Sequence, residues 1–376
     1  MKTRRVVVLG ATGSIGKSAR KVARDIPGRM EIVGLSAHCD RDGLAQAARE
    51  FPGARTALSS GSDGEERLIE LATLPDADMV LIAIVGTAGL RPALAAIEAG
   101  KDLAVASKEI LVMAGEIVME AAARKRVKVL PVDSEHNAIF QCLDGRGATA
   151  LQRIILTCSG GPFRGTPRAE LDRVTPEMAL KHPTWSMGRK ISIDSATLFN
   201  KGLEMIEARW LFDVPMEKVD VVVHPQSIVH SMVEFVDGSL LAQLSHSDMC
   251  FPIQYAVTWP ERVSNSLRPL DLAALGRLDF EAPRREDFPA LDLARRAGEI
   301  GGSLPATLNA ANEVAVQAFL DHRIPFPAIW KTVERVMDEC PFVARPCLEE
   351  LSEIDHCARG LASQAIHSGR LAVSHG

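Results

Sequence analysis

The 376-residue chain has no basic surplus: 43 lysines and arginines stand against 48 aspartates and glutamates, a formal net charge of -5. A nucleic-acid backbone demands a cationic footprint, so nucleic acid is not an expected partner. Long apolar runs are missing as well. The first, at residues 6–9, is shorter than a signal-peptide core and leads straight into a glycine-rich turn, and no later run approaches a membrane span. Neither targeting nor a membrane is therefore expected. The seven cysteines, at 39, 142, 158, 250, 340, 347 and 357, include no CxxC pair and lack the density of a secreted scaffold. Free thiols in a reducing compartment, the cytoplasm, are the simpler reading. Internal repeats and low-complexity tracts are absent too.

What is present is apolar patterning. At 47% hydrophobic content the chain can bury a sizeable core, but its length exceeds what one core organises, and two or three domains are expected. Up to about residue 150, short apolar runs at 6–9, 32–35, 79–85, 103–106 and 127–130 alternate with amphipathic stretches such as 90–99, which carries Pro92 near its start and is closed by Gly100. That alternation predicts a parallel sheet covered by helices on both faces. A second α/β region opens with the run 154–156 and adds 219–223 and a hairpin, 232–236 then 240–244, around Asp237-Gly238. Residues 261–289, rich in proline with weak periodicity, read as a connection. Beyond them, 306–320, 327–339 and 348–365 have helical spacing and suggest a C-terminal bundle. The predicted organisation is a nucleotide-binding domain over 1–150, a catalytic α/β domain over 151–262, a linker over 263–289 and a helical domain over 290–376.

Gly10, Gly13 and Gly16 stand in the segment 6–16, where a strand runs into a helix. Glycine permits the tight turn and a close backbone approach to a pyrophosphate, and free N–H groups at the helix start favour the anion. The spacing is GxxGxxG rather than GxGxxG, so the strand before it and the parallel pattern after it carry the nucleotide reading. After the second run the chain reads Ser36-Ala37-His38-Cys39-Asp40-Arg41. An acid at the strand tip would bond a ribose 2′-hydroxyl, whereas His38 and Arg41 could meet a 2′-phosphate. The tip favours NADPH over NADH, with Asp40 as counter-evidence.

Asp133 and Glu135 lie just past a strand, where open α/β sheets bind ligands. Oxygen donors of this kind suit Mg²⁺ or Mn²⁺. In isolation, however, Asp133-Ser134-Glu135 reads more readily as a helix N-cap with first-turn acids. The metal reading gains from a second stretch, 194–204, where Asn200 and Glu204 are four apart and Lys201 and Glu204 three apart, one helical face flanked by Leu198, Phe199, Leu203, Met205 and Ile206. Against a solvated surface pair, those apolar neighbours argue for a pocket wall. With Ser159 and Ser195 these groups make a plausible phosphate receptor. The segment 181–189, holding His182, Trp185 and Met187 between Pro183 and Gly188, reads either as a lid or as a surface loop whose tryptophan packs down.

Seven motifs in order, GATGSIGKS (10–18), SKE (107–109), PVDSEHNAIFQ (131–141), CSGGPFR (158–164), KHPTWSMGRKISIDSATLFNKGLEMIEARWLF (181–212), HPQSIVHSMVEF (224–235) and NAANEVAVQAFL (309–320), resemble the 1-deoxy-D-xylulose 5-phosphate reductoisomerase family over nearly the whole chain. The resemblance implies a Rossmann-like N-terminal domain, a central catalytic domain and a C-terminal helical bundle. The implied activity is NADPH-dependent rearrangement and reduction of a phosphorylated sugar, 1-deoxy-D-xylulose 5-phosphate, to 2-C-methyl-D-erythritol 4-phosphate in non-mevalonate isoprenoid synthesis, by a homodimer. It further implies Asp133, Glu135 and Glu204 as ligands of Mg²⁺ or Mn²⁺, and Ser134 and Lys108 beside the substrate hydroxyls. Ser159, Ser195, Asn200 and Lys201 would hold the phosphate, and His182 and Trp185 would sit on the closing flap; Lys108, Glu135, His182 and Trp185 form the implied catalytic set. The implied cofactor contacts are Gly10, Thr12, Gly13, Ser14, Ile15, Gly16, Ala37, His38, Cys39, Ser107, Lys108, Glu109 and Gly188. Ser107 and Cys39 both stand where the family commonly has asparagine.

Overall fold

A computed structural model describes residues 3–143, 150–185 and 187–368. Contacts gather the chain into two compact units, one of residues 1–111, 115–146 and 242–272, the other of 112–114, 147–241 and 273–376.

The first unit alternates strand and helix as β1 (Arg4–Leu9), α1 (Ser14–Asp25), β2 (Met30–Ala37), α2 (Arg41–Glu50), β3 (Arg55–Leu58), α3 (Gly64–Ala72), β4 (Met79–Ile82), α4 (Leu90–Glu98), β5 (Asp102–Val105), α5 (Glu109–Lys125), β6 (Val129–Pro131) and α6 (Ser134–Leu143). The strands form one six-stranded sheet in the order β3-β2-β1-β4-β5-β6, every neighbouring pair parallel. This is the order of a dinucleotide-binding fold, and it reverses direction between β1 and β4, where such sheets bind their ligands. Val6, Val8, Leu35, Met79, Leu81 and Ala104 are fully buried because helices cover both faces, which is why these strands read as unbroken apolar runs. Each such aliphatic side chain contributes on the order of 1.5–3 kcal/mol of transfer free energy.

The chain continues through β7 (Leu151–Cys158), α7 (Pro176–Ala179), α8 (Arg189–Thr197), α9 (Phe199–Phe212), β8 (Val219–Val223), β9 (Val229–Phe235), β10 (Leu240–Leu244), α10 (Cys250–Thr258), α11 (Leu272–Leu275), α12 (Ala290–Ile300), α13 (Leu304–Leu320), α14 (Ala328–Glu339) and α15 (Leu348–His367). Helix α10 belongs to the first unit, where Ile253, Ala256 and Val257 join the sheet core and the helix packs on α1, α6, β5 and β6. The second unit carries a four-stranded sheet, β10-β9-β7-β8, mixed in direction: β7 runs parallel to β8 and antiparallel to β9. Residues 273–289 are largely irregular, and a bridge from Glu281 to Val223 ties this stretch to the edge of β8. Helices α12–α15 pack on one another, and α12 and α13 also pack on α9 and α8. Gly202 explains the close approach of α9 and α12, since a methyl group there would lie 2.7 Å from the Ala294 side chain. The α/β class with a C-terminal helical bundle is thus present as expected.

Candidate functional site

In the first unit the loop after β1 opens at the reversal point of the sheet. Gly10 has φ +95°, and a Cβ there would lie 2.4 Å from the Ala83 carbonyl oxygen, so glycine is the residue that fits. Gly16 is equally constrained, because a Cβ would meet the Gly10 oxygen at 2.3 Å as α1 crosses the turn. Gly13 is different: the nearest atom to a Cβ there is 3.5 Å away, and the residue caps α1 without a side-chain acceptor. Two glycines therefore shape the turn, and the third leaves the helix start open to an anion. Thr12, Ser14 and Ile15 line that start. The backbone N–H groups of Gly10 and Ala11 donate to Ser36, binding the turn to the end of β2, where Ala37 is buried and His38 and Cys39 are exposed. The Nδ1 atom of His38 lies 3.2 Å from the Ser59 hydroxyl. Asp40 accepts the Gly43 N–H at 2.9 Å as the cap of α2, which gives this acid a structural task.

Past β5, Ser107 donates to the Ile84 carbonyl, and Lys108 and Glu109 are buried. Lys108 Nζ lies 2.6 Å from an Asp133 carboxylate oxygen. Asp133 directly precedes α6: its backbone carbonyl accepts the Asn137 N–H at 2.9 Å, and its other carboxylate oxygen accepts the adjacent Ser134 N–H at 3.0 Å. The Ser134 hydroxyl donates to Glu135 at 2.6 Å. One ammonium, one hydroxyl and two carboxylates are thereby gathered at the C-terminal end of β6.

In the second unit, β7 ends at Cys158 and is followed by Ser159 and then Gly160 and Gly161 at φ +80° and +69°. A Cβ on Gly161 would lie 2.7 Å from the Ser195 carbonyl oxygen, which shows how closely the serine-glycine loop abuts α8. The Ser159 hydroxyl accepts the Gly161 N–H at 3.2 Å and lies 3.0 Å from His182 Nε2. His182 Nδ1 accepts the backbone N–H groups of Trp185 at 3.0 Å and Thr184 at 3.2 Å. With Nδ1 an acceptor, the proton resides on Nε2 and is donated to Ser159, leaving the serine's own hydrogen to point elsewhere. Burial pushes the His182 pKa below its usual value, in keeping with this neutral tautomer. The segment before α8 is therefore folded onto the serine loop through one imidazole, while Gly188 caps α8 with open space around its α-carbon.

Leu198, at φ +65°, ends α8 and turns the chain into α9. One turn into α9, Glu204 is clasped from both sides: Asn200 Nδ2 donates to one oxygen at 2.6 Å and Lys201 Nζ to the other. Lys201 and Glu204 are 2% and 1% exposed, so the pair is no solvated surface bridge. Sequence spacing pointed to this cluster, and Ser159 and Ser195 were polar candidates beside it, but nothing pointed to Asp194, a buried carboxylate held by Lys190 at 2.7 Å and by Asn312 at 2.8 Å. Asn312 comes from α13, too far along the chain for spacing to reveal.

Models of three segments of the 1-deoxy-D-xylulose 5-phosphate reductoisomerase family match this chain: the reductoisomerase model at residues 6–115 and its two C-terminal domain models at 129–212 and 244–361. The chain is 51% identical to the 1-deoxy-D-xylulose 5-phosphate reductoisomerase of Pseudomonas putida (strain W619), covering 96% of this chain and 97% of that protein. Among solved structures it resembles the reductoisomerase of Zymomonas mobilis in complex with NADPH, with a TM-score of 0.88, 43% identity and coverage of 97% of this chain and 100% of that one. It likewise resembles a DOX-P reductoisomerase in complex with NADPH, fosmidomycin and magnesium, with a TM-score of 0.89, 38% identity and coverage of 98% and 99%.

Proposed function

The chain belongs to the 1-deoxy-D-xylulose 5-phosphate reductoisomerase family, and from that premise we propose how its residues divide the work. It is an NADPH-dependent oxidoreductase that converts 1-deoxy-D-xylulose 5-phosphate to 2-C-methyl-D-erythritol 4-phosphate with a divalent cation, a step of non-mevalonate isoprenoid synthesis. The observation that carries this reading is likeness to curated reductoisomerases over 96% of the chain.

The residues fit both groups. The donor set Asp133, Glu135 and Glu204 is all oxygen, the preference of Mg²⁺ or Mn²⁺, and we assign these three as the cation's ligands. The glycine turn leaves an uncapped helix start for a pyrophosphate. When bound, the cation supplies Lewis acidity at the substrate's carbonyl, and NADPH supplies the hydride. Lys108 and Ser134 are assigned to the substrate's hydroxyls, consistent with their pairing to Asp133 and Glu135. Ser159, Ser195, Asn200 and Lys201 are assigned to the phosphate: two hydroxyls, an amide and an ammonium supply donors for its oxygens. His182 and Trp185 belong to a flap that closes over bound substrate and excludes water, and phosphate binding energy drives that closure. Gly10, Thr12, Gly13, Ser14, Ile15 and Gly16 hold the pyrophosphate, and Ala37, His38 and Cys39 the adenosine end. Ser107, Lys108, Glu109 and Gly188 complete the cofactor contacts.

Among the described residues no helix is long and apolar enough to cross a membrane. We read the protein as a cytoplasmic homodimer, a reading supported by its seven free thiols and by the exposed Val236, Leu240 and Leu241 at the β9–β10 hairpin. Light scattering of the purified protein tests the dimer. The activity is tested by following NADPH absorbance with 1-deoxy-D-xylulose 5-phosphate, with and without Mg²⁺ or Mn²⁺, and again with NADH. Cation-independent oxidation, or none at all, would refute the assignment.

A further inference from the structure

The motif NAANEVAVQAFL, which runs to the end of α13, carries two asparagines, Asn309 and Asn312, that are fully buried where leucine would pack at lower cost. Asn312 has a specific partner. Its amide donates to one oxygen of Asp194 at 2.8 Å, while the other oxygen of Asp194 takes Lys190 at 2.7 Å, one helical turn earlier on α8. Asp194 is itself 1% exposed. A carboxylate taken that far out of water is costly unless its oxygens are held, and a buried ion pair is by itself weak evidence of added stability.

The arrangement fixed here is the setting of α8. Lys190 is the second residue of that helix, two residues after its N-cap, Gly188. Ser195 follows Asp194 directly, and its carbonyl stands against Gly161 of the serine-glycine loop. Held from α13 at one oxygen and from the helix's own first turn at the other, the Asp194 side chain locks the rotation of α8 about its axis. We propose that Asp194 and Asn312 are positioning residues that hold α8 in the one rotation placing Ser195 for the substrate's phosphate. The proposal rests on the assignment of Ser195 to the phosphate made above.

The test uses the full-length enzyme with its NADPH and Mg²⁺. Asn312→Leu, which keeps volume and removes the donor, should raise KM for 1-deoxy-D-xylulose 5-phosphate and the inhibition constant of inorganic phosphate by ~10-fold, the scale of a small misplacement of a binding group, with NADPH affinity unchanged. Asn312→Asp, which sets two carboxylates against each other, should be worse. Adding Asp194→Asn to it restores one donor and one acceptor and should recover most of the lost substrate affinity. A merely structural contact would instead lower thermal stability and scale all binding constants together. Ser195→Ala tests the underlying assignment. If it raises substrate KM while Asn312→Leu does not, or if the double exchange is no better than Asn312→Asp alone, the positioning role is overturned and the phosphate assignment stands. If Ser195→Ala leaves KM and phosphate inhibition unchanged, the phosphate assignment falls and the positioning role falls with it.

Discussion

Replacing Gly161 by alanine perturbs the second unit at a point where the cost can be worked out. At φ +69° an L side chain is strained by roughly 1–2 kcal/mol, and the new Cβ would sit 2.7 Å from the Ser195 carbonyl oxygen, inside the contact distance of real Cβ atoms. Backbone faces backbone there, so relief requires a shift of the serine-glycine loop away from α8. Ser159 and Ser195 would then separate by several tenths of an ångström. Misplacement on that scale in a binding constellation costs about 10–100-fold in kcat/KM. Gly160→Ala is the internal control. Its φ of +80° imposes the same backbone strain, but its Cβ would meet the side chains of Arg164 and Val223 at 2.7 and 2.8 Å, with no α8 backbone in the way. Both variants should therefore lose similar thermal stability, a few degrees at about 2–4 °C per kcal/mol for a unit of this size. Only Gly161→Ala should lose substrate affinity, measured by NADPH oxidation across a range of substrate concentrations, with NADPH affinity retained. Equal kinetic damage in both variants, or none in Gly161→Ala, would refute the geometric argument.

Glu204→Gln keeps the side chain's size and one acceptor oxygen for the two donors, Asn200 and Lys201, but removes a carboxylate from the proposed cation set, so turnover should collapse at ordinary Mg²⁺; near-full activity at saturating Mg²⁺ would remove Glu204 from that set. The variant also removes the Glu204 carboxylate from buried Lys201, a loss of stability readable in denaturant titrations. For His182 the folded pKa lies below the unfolded value near 6.5, so between the two the unfolded chain binds more protons and stability rises with pH. The stability difference between wild type and His182→Gln should accordingly shrink as pH falls below about 6.5, and a difference constant from pH 8 to 5 would contradict the neutral, clamped imidazole. Trp185→Ala should impair turnover while leaving NADPH affinity intact, and equal loss of both would point to misfolding.

The parallel sheet was legible because its strands are buried on both faces and so appear as uninterrupted apolar runs such as Val6-Val7-Val8 and Met79-Val80-Leu81-Ile82. Strand β3, RTAL, escaped because it lies at the sheet edge, where two of its four residues are exposed and carry no apolar signal. At the site, the Asn200–Lys201–Glu204 cluster was readable from helical spacing alone, since all three sit on one helix. Asp133 could not be resolved by spacing between a helix cap and a cation ligand because it stands directly before α6, and only the fold brings Lys108 beside it. The tautomer of His182 and the grip of Asn312 on Asp194 were out of reach for a different reason. Each depends on partners from separate elements, and hydrogen-bond geometry across the fold leaves no periodic trace in the chain.

The placement of α10 bears on how this protein is made. Its apolar face completes the core of the first unit, yet the whole of β7 to β10 is synthesised before it. A nascent chain thus carries a six-stranded sheet whose flank at α1 and α6 stays uncovered until residues 250–258 leave the ribosome, a window in which exposed apolar surface invites association. For the same reason, stopping translation after residue 146 would leave out part of the first unit, and a fragment meant to fold alone needs residues 242–272 as well.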